Sequence, residues 1–67
     1  MAYVDDIGTT AGAVWGVLVE RGKMSLSALE KAVEAPRTVV YMAIGWLARE
    51  GKVTISREER SIQIWLT

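Results

Sequence analysis

Few side chains in this sequence could carry out covalent chemistry. The chain has 67 residues and contains neither histidine nor cysteine, the two residue types on which most nucleophilic and acid–base catalysis at neutral pH depends. A serine–lysine pair or two facing carboxylates would need an enclosed pocket, which so short a chain can hardly build. The eight acidic residues show none of the alternating spacing of a calcium loop. We therefore expect a protein that is not an enzyme and binds no metal or cofactor.

The charged residues could instead serve binding. Eight basic residues balance eight acidic ones, so the net charge is zero, and a neutral domain gives only a weak version of the attraction that draws proteins to nucleic-acid phosphates. A one-sided basic patch remains possible because net charge does not report distribution, and ordinary solvated surface charge is the alternative. The residues of that patch would be Lys31, Arg37, Lys52, Arg57 and Arg60.

Size and hydropathy point to self-association. A domain of about 60 residues buries only about 60% of its unfolded surface, and with no cysteine it has no disulfide to stabilise it. Yet 51% of the residues are hydrophobic and the mean hydropathy is +0.20.

The acidic N-terminal segment from Met1 to Asp6 has no targeting signal, and the longest uncharged stretch, 7–19, is too short to cross a membrane. We expect one cytoplasmic domain, residues 1–67, that pairs as a homodimer.

The first predicted helix spans about residues 7–21. Asp5 or Asp6 would cap its start, and Gly22 would end it. Glycines at positions 8, 12 and 16 lie along one face and are expected to form a flat groove that receives another element of the same domain. The apolar stripe that predicts the helix consists of Ile7, Ala11, Val14, Trp15, Leu18 and Val19.

Two shorter helices follow. The second is predicted over about 26–34, with Ser25 or Ser27 as its cap and Leu26, Leu29 and Val33 on its buried side. The third spans about 36–50, since Pro36 ends the preceding helix and suits the first turn of the next. Gly51 would provide its left-handed cap. Its core face consists of Val40, Ala43, Ile44 and Leu47.

The last part of the chain changes from helical to strand periodicity. Apolar and polar residues alternate over about 53–56 and 61–66, with a turn at 57–60, which predicts a β-hairpin. Residues 23–25 offer a short third strand. Three helices followed by a hairpin give an α+β fold, the winged helix-turn-helix.

Two runs of residues carry a more specific resemblance. They are Ala43-Ile44-Gly45-Trp46-Leu47-Ala48-Arg49-Glu50-Gly51-Lys52-Val53 and, upstream, Ile7-Gly8 with Ala11-Gly12-Ala13-Val14-Trp15. Together they resemble a family of small bacterial winged helix-turn-helix proteins catalogued as a domain of unknown function, over essentially the whole chain. The resemblance implies the winged helix fold and a homodimer, and it suggests DNA binding by analogy of fold.

In that fold the outer face of the third helix enters the major groove of double-stranded DNA, and the hairpin, or wing, contacts the backbone or minor groove. Cations near the start of the helix would hold phosphates, and a tyrosine could reach a phosphate oxygen. The glutamates at positions 58 and 59 favour a solvated turn instead. The predicted DNA contacts are Arg37, Thr38, Tyr41, Arg49, Arg57 and Arg60.

The same helix also presents an apolar surface that favours pairing with a second subunit. Met42, Gly45 and Trp46 have nothing to offer a base edge, and tryptophan and methionine are enriched in interface cores. Trp65 is either a second interface anchor or a cap over the end of the first helix. Two functions compete for this face: a DNA-binding, transcription-associated homodimer, or a protein-interaction module that pairs through Met42, Gly45, Trp46 and Trp65 without binding DNA.

Overall fold

The computed structural model describes residues 4–67 as three helices and a three-stranded antiparallel sheet, the predicted α+β winged helix. Residues 1–3, the start of the segment expected to lack a targeting signal, lie outside the described residues. The elements in chain order are α1 (Val4–Arg21), β1 (Met24–Ser25), α2 (Leu26–Ala32), α3 (Arg37–Arg49), β2 (Val53–Glu58) and β3 (Ser61–Leu66).

Helix α1 begins earlier than predicted. It already includes Val4, so Asp5 and Asp6 lie in its first turn and neither is the cap. There their negative charges lie near the positive end of the helix dipole, which is a favourable position for carboxylates. The helix ends as predicted, where Gly22 takes φ +78° and its amide donates to the Leu18 carbonyl at 2.8 Å.

The turn between α2 and α3 occupies residues 33–36. Ser25 is the cap of α2, because its Oγ accepts the Ala28 amide at 3.1 Å. The helix stops at Ala32, two residues before the predicted end, since Val33 turns into extended backbone and buries its side chain. Pro36 is the N-cap of α3 and not part of its first turn, and its carbonyl accepts the amides of the third and fourth residues that follow it.

A Schellman cap joins α3 directly to the wing. Gly51 takes φ +73° and donates to the Ala48 carbonyl, while Lys52 donates to the Leu47 carbonyl at 2.9 Å. The chain then enters the hairpin of β2 and β3, whose strands run to 58 and from 61, so the loop has two residues and not the four predicted. The predicted third strand is β1, which pairs with β3 and gives the sheet order β1-β3-β2.

The core lies between α1, α3 and the inner face of the sheet. For two residues of the predicted α1 stripe the prediction of burial is wrong: Trp15 is 46% exposed and Val19 is 54% exposed. Each follows a buried residue, Val14 or Leu18, by one step of about 100° around the helix, and that step carries it onto the outer side. No helix in the described part of the chain is long and apolar enough to cross a membrane. The buried apolar residues are Ala11, Val14, Leu18, Met24, Leu29, Val33, Val39, Val40, Ala43, Ile44, Leu47, Val53 and Ile64.

Candidate functional site

The outer side of α3 carries most of the candidate binding residues. Val39 is buried in addition to the four predicted core residues of this helix. All seven positions predicted to face outward are exposed: Arg37, Thr38, Tyr41, Met42, Gly45, Trp46 and Arg49.

One edge of this outer side meets the wing. Tyr41 and Gly45 face Ile55 and Ile62 across an apolar cavity of 180 Å³, which we call the wing-side groove. The side chains of Tyr41, Ile55 and Ile62 belong to the eight large apolar residues that are exposed in the described part of the chain. The full lining is Leu26, Tyr41, Ile44, Gly45, Ile55, Ile62 and Ile64.

The opposite edge of α3 meets α1. Trp46 lines an apolar cavity of 430 Å³ with Val4, Ile7 and Gly8. It also lines a neighbouring cavity of 360 Å³ that Trp15 and Lys52 border. We call this the α1-side surface. Because Tyr41 lies at one edge of α3 and Trp46 at the other, the two predicted functions do not need the same residues.

The two faces of the wing carry different charges. Arg57 is paired with Ile62 across the hairpin and shares its face, which is the face of the wing-side groove. Glu58 lies on the other face, where Lys23 donates to its two carboxylate oxygens at 2.9 and 3.0 Å. The Lys23 ammonium also lies 4.8 Å from the centre of the Trp65 ring. The Glu58 carboxylate is therefore turned away from the groove and paired.

A second, polar cavity adjoins the wing-side groove. It has a volume of 220 Å³, and we call it the Arg60 cavity. Its lining residues are Ser25, Leu26, Ser27, Arg60, Ser61 and Ile62.

Glu30 of α2 lies beside two of the predicted DNA contacts on α3, Arg37 and Tyr41. Its Oε1 lies 3.9 Å from Arg37 Nε. Its carboxylate, as an acceptor and a negative charge beside the Tyr41 hydroxyl, raises the pKa of Tyr41 together with desolvation, while Arg37 lowers it. Glu30 thus partly neutralises Arg37 and disfavours ionisation of Tyr41.

The structure does not bring all the predicted site residues together. Lys52 lies on the α1-side surface, away from the Arg60 cavity, so the proposed basic patch is divided. Gly45 lines the wing-side groove and not the α1-side surface. Trp65 is half-buried on the outer sheet face beneath Lys23. Of the four predicted interface residues, Trp46 is the one that lines the α1-side surface.

The expected role of the α1 glycines is wrong. A Cβ atom built on Gly8, Gly12 or Gly16 would meet no other heavy atom within 4 Å. All three positions are exposed, so no element in residues 4–67 packs into a groove along them. They lie on the turned-out side of α1, together with Trp15 and Val19.

Comparison with known proteins identifies the family. The family model described as winged helix-turn-helix domain (DUF2582) matches residues 1–66. The chain belongs to this family. An uncharacterized protein of the archaeon Methanocaldococcus jannaschii is 42% identical over 57 residues, covering 81% of this chain and 80% of that protein. Because that relative is archaeal, the bacterial origin implied by the resemblance is not confirmed.

The fold of this winged helix-turn-helix domain also matches a solved structure. The Zalpha domain of Carassius auratus PKZ, crystallised in complex with Z-DNA, superposes with a TM-score of 0.78. The match covers 92% of this chain and 98% of that one, at 18% sequence identity. At that identity the likeness establishes the shared fold alone.

Three contributors to the site were not predicted from the sequence. The alternation of apolar and polar residues places Ile55 and Ile62 on the inward face of their strands. Both side chains are nevertheless exposed, at the edge of the wing-side groove. Glu30 looks like the second half of a capping box with Ser27, although Ser25 is the cap. The spacing from Glu30 to Tyr41 crosses a turn whose geometry the sequence does not define.

Proposed function

We propose that this domain binds nucleic acid through the outer side of α3 and the inner face of the wing. The observation that carries the proposal is that Tyr41 lines the groove from α3, while Arg57 lies on the wing face that lines it from the other side. Both elements are ones that winged helix proteins apply to DNA. The likeness to a Zalpha domain crystallised with Z-DNA supports the proposal. We also propose that the domain acts in the cytoplasm in association with transcription. It acts there by binding and not by catalysis.

The distribution of charge supports binding more than the neutral total does. Glu58 is paired on the far side of the wing, so Arg57 and Arg60 are the cations presented near the groove. Arg37 and Arg49 add two exposed cations on α3. A few phosphate contacts of this kind give modest affinity, since each neutralised phosphate contributes about 0.9 to the salt slope on duplex DNA.

The test is binding to duplex DNA of mixed sequence at about 50 mM and about 200 mM salt. We expect weak binding that falls with salt, and a smaller slope after Arg57→Ala. Arg21→Ala, a matched change on α1, should leave the slope unchanged. A duplex locked in the left-handed Z form is a parallel probe of whether shape selects the ligand. Absence of binding to every duplex and to single-stranded DNA at the lower salt would overturn the proposal.

A homodimer through the α1-side surface is the second part of the proposal. The side chains of Val4, Trp15 and Trp46 are 75%, 46% and 49% exposed, and exposed apolar patches commonly mark interaction sites. Because this surface lies at the far edge of α3 from the wing-side groove, pairing and nucleic-acid binding are compatible. Trp46→Ala should convert a dimer to a monomer in sedimentation, whereas Ile55→Ser should not. A monomer in both the wild type and Trp46→Ala would overturn this part.

A further inference from the structure

The wing-side groove and the Arg60 cavity adjoin one another, and we call the two together the depression. Leu26 and Ile62 line both of them. Their volumes of 180 and 220 Å³ together fall within the range of small-ligand sites, about 300–1,000 Å³. One end of the depression is apolar and the other is polar, so an occupant that fills both must be amphipathic.

The apolar end suits a planar aromatic ring. Tyr41 stands at one wall, Ile55 and Ile62 at the other, and the buried side chains of Ile44 and Ile64 form the floor. Apart from the Tyr41 hydroxyl, no lining side chain offers a hydrogen bond. Such walls stack on the faces of bases and do not read their edges.

The polar end suits a phosphate. Arg60 is exposed, and it takes part in neither of the ion pairs found among the described residues, which involve Lys23 and Arg37. Ser25 and Ser27 add two hydroxyls. The Ser25 Oγ only accepts, from the Ala28 amide, so its own proton is available to donate. Guanidinium and hydroxyl donors are the groups that hold phosphate oxygens.

We infer that this depression holds one unstacked nucleotide of a nucleic-acid strand, with its base in the wing-side groove and its phosphate against Arg60. The inference rests on the proposed function and narrows its ligand to single strands or duplexes with an unpaired position. A fully paired duplex keeps its base faces stacked and presents polar edges, which the apolar end cannot match. A strand is favoured over a free nucleotide because Arg57 stands on the same wing face outside the Arg60 cavity, where it can meet a flanking phosphate.

The experiment compares three fluorescent probes at about 50 mM salt. They are a short thymidine single strand, a fully paired hairpin, and the same hairpin with one unpaired thymidine. We expect the first and third probes to bind about tenfold more tightly than the paired hairpin, the scale of one base stacked on an aromatic side chain. Thymidine monophosphate should compete only at far higher concentration than the strand does.

Two variants locate the site. Ile55→Ser should weaken binding of the single strand by about tenfold and leave binding of the paired hairpin unchanged. Arg60→Ala should weaken the single strand and reduce its salt slope by about one phosphate. Val19→Ser and Arg21→Ala make comparable changes on α1 and should have no effect. Thermal unfolding followed by circular dichroism checks each fold, and Tyr41→Ala replaces Ile55→Ser if that variant does not fold.

Equal affinity for paired and unpaired probes, or no effect of both Ile55→Ser and Arg60→Ala, would overturn this inference and leave the proposed function standing. Competition by the monophosphate at the same concentration as the strand would overturn the choice of a strand. No binding of any probe would overturn both the inference and the proposed function.

Discussion

The ammonium of Lys23 lies 4.8 Å from the centre of the Trp65 ring. From that position it also donates to both carboxylate oxygens of Glu58. A residue just after α1 thereby ties together β3 and the distal end of β2. The contact covers Trp65 and holds an acidic side chain on the wing face opposite the groove.

Lys23→Ala should lower the free energy of unfolding by up to about 1 kcal/mol, because it removes an exposed cation–π contact and a surface ion pair. Lys31→Ala, a matched change on α2, should have a smaller effect. Urea unfolding at low and high salt measures both. An equal loss in the two variants would contradict the structural role of Lys23.

Tyr41 should titrate at a higher pH than an ordinary tyrosine. Its pKa is raised from about 10, mainly by the Glu30 carboxylate beside its hydroxyl, so Glu30→Ala should lower the absorbance midpoint. A Tyr3→Phe background leaves Tyr41 as the only tyrosine. The folded protein holds this proton more tightly than the unfolded chain. The resulting stabilisation is present below the ordinary pKa and is lost as pH rises through the raised one. An unchanged midpoint in Glu30→Ala would contradict an effect of Glu30 on the pKa of Tyr41.

Glu59→Gly should stabilise the protein. Among residues 4–67, Glu59 is the non-glycine residue whose φ is positive, at +56°. That conformation costs about 1–2 kcal/mol for residues with a Cβ. Part of that gain is offset because glycine loses more freedom on folding. Glu59→Ala removes the same charge and keeps the strain, so it is the matched control. Equal melting temperatures for the two variants would contradict a strained wing turn.

Gly12→Ala and Gly51→Ala should act in opposite directions. Alanine at position 12 meets open space and gains up to about 1 kcal/mol of helix propensity. At position 51 the φ of +73° makes any side chain unfavourable, by about 1–2 kcal/mol. Thermal unfolding separates the two. Destabilisation by Gly12→Ala would instead indicate a close contact along the glycine face of α1.

The order of elements was predictable from the sequence because each boundary has a local signal. Gly22, Pro36 and Gly51 end or begin helices through their own backbone preferences. Ser25 begins α2 through its side-chain oxygen. The core face of α3 followed from its spacing alone. The outer side of α1 could not be predicted in this way, because Trp15 is as apolar as a core residue. It is exposed because no other element in the described part of the chain covers that side of α1.

The division of the α3 surface into two edges could not be predicted from the sequence. Tyr41 and Trp46 are both outward on the helix, and the sequence therefore placed two functions in competition for one face. Only the positions of α1 and the wing assign Tyr41 to one groove and Trp46 to another surface. The pairing of Lys23 with Glu58 joins residues 35 positions apart, a distance at which no local pattern reports a contact.

Amide-resolved NMR during titration with single-stranded and duplex DNA at about 50 mM salt shows whether nucleic acid binds between α3 and the wing. We expect the shifted amides to cluster at Tyr41, Gly45, Ile55 and Ile62, while those of Trp15 and Val19 stay in place. Shifts confined to the α1-side surface around Trp46, or no shifts with any DNA, would contradict binding at the wing-side groove.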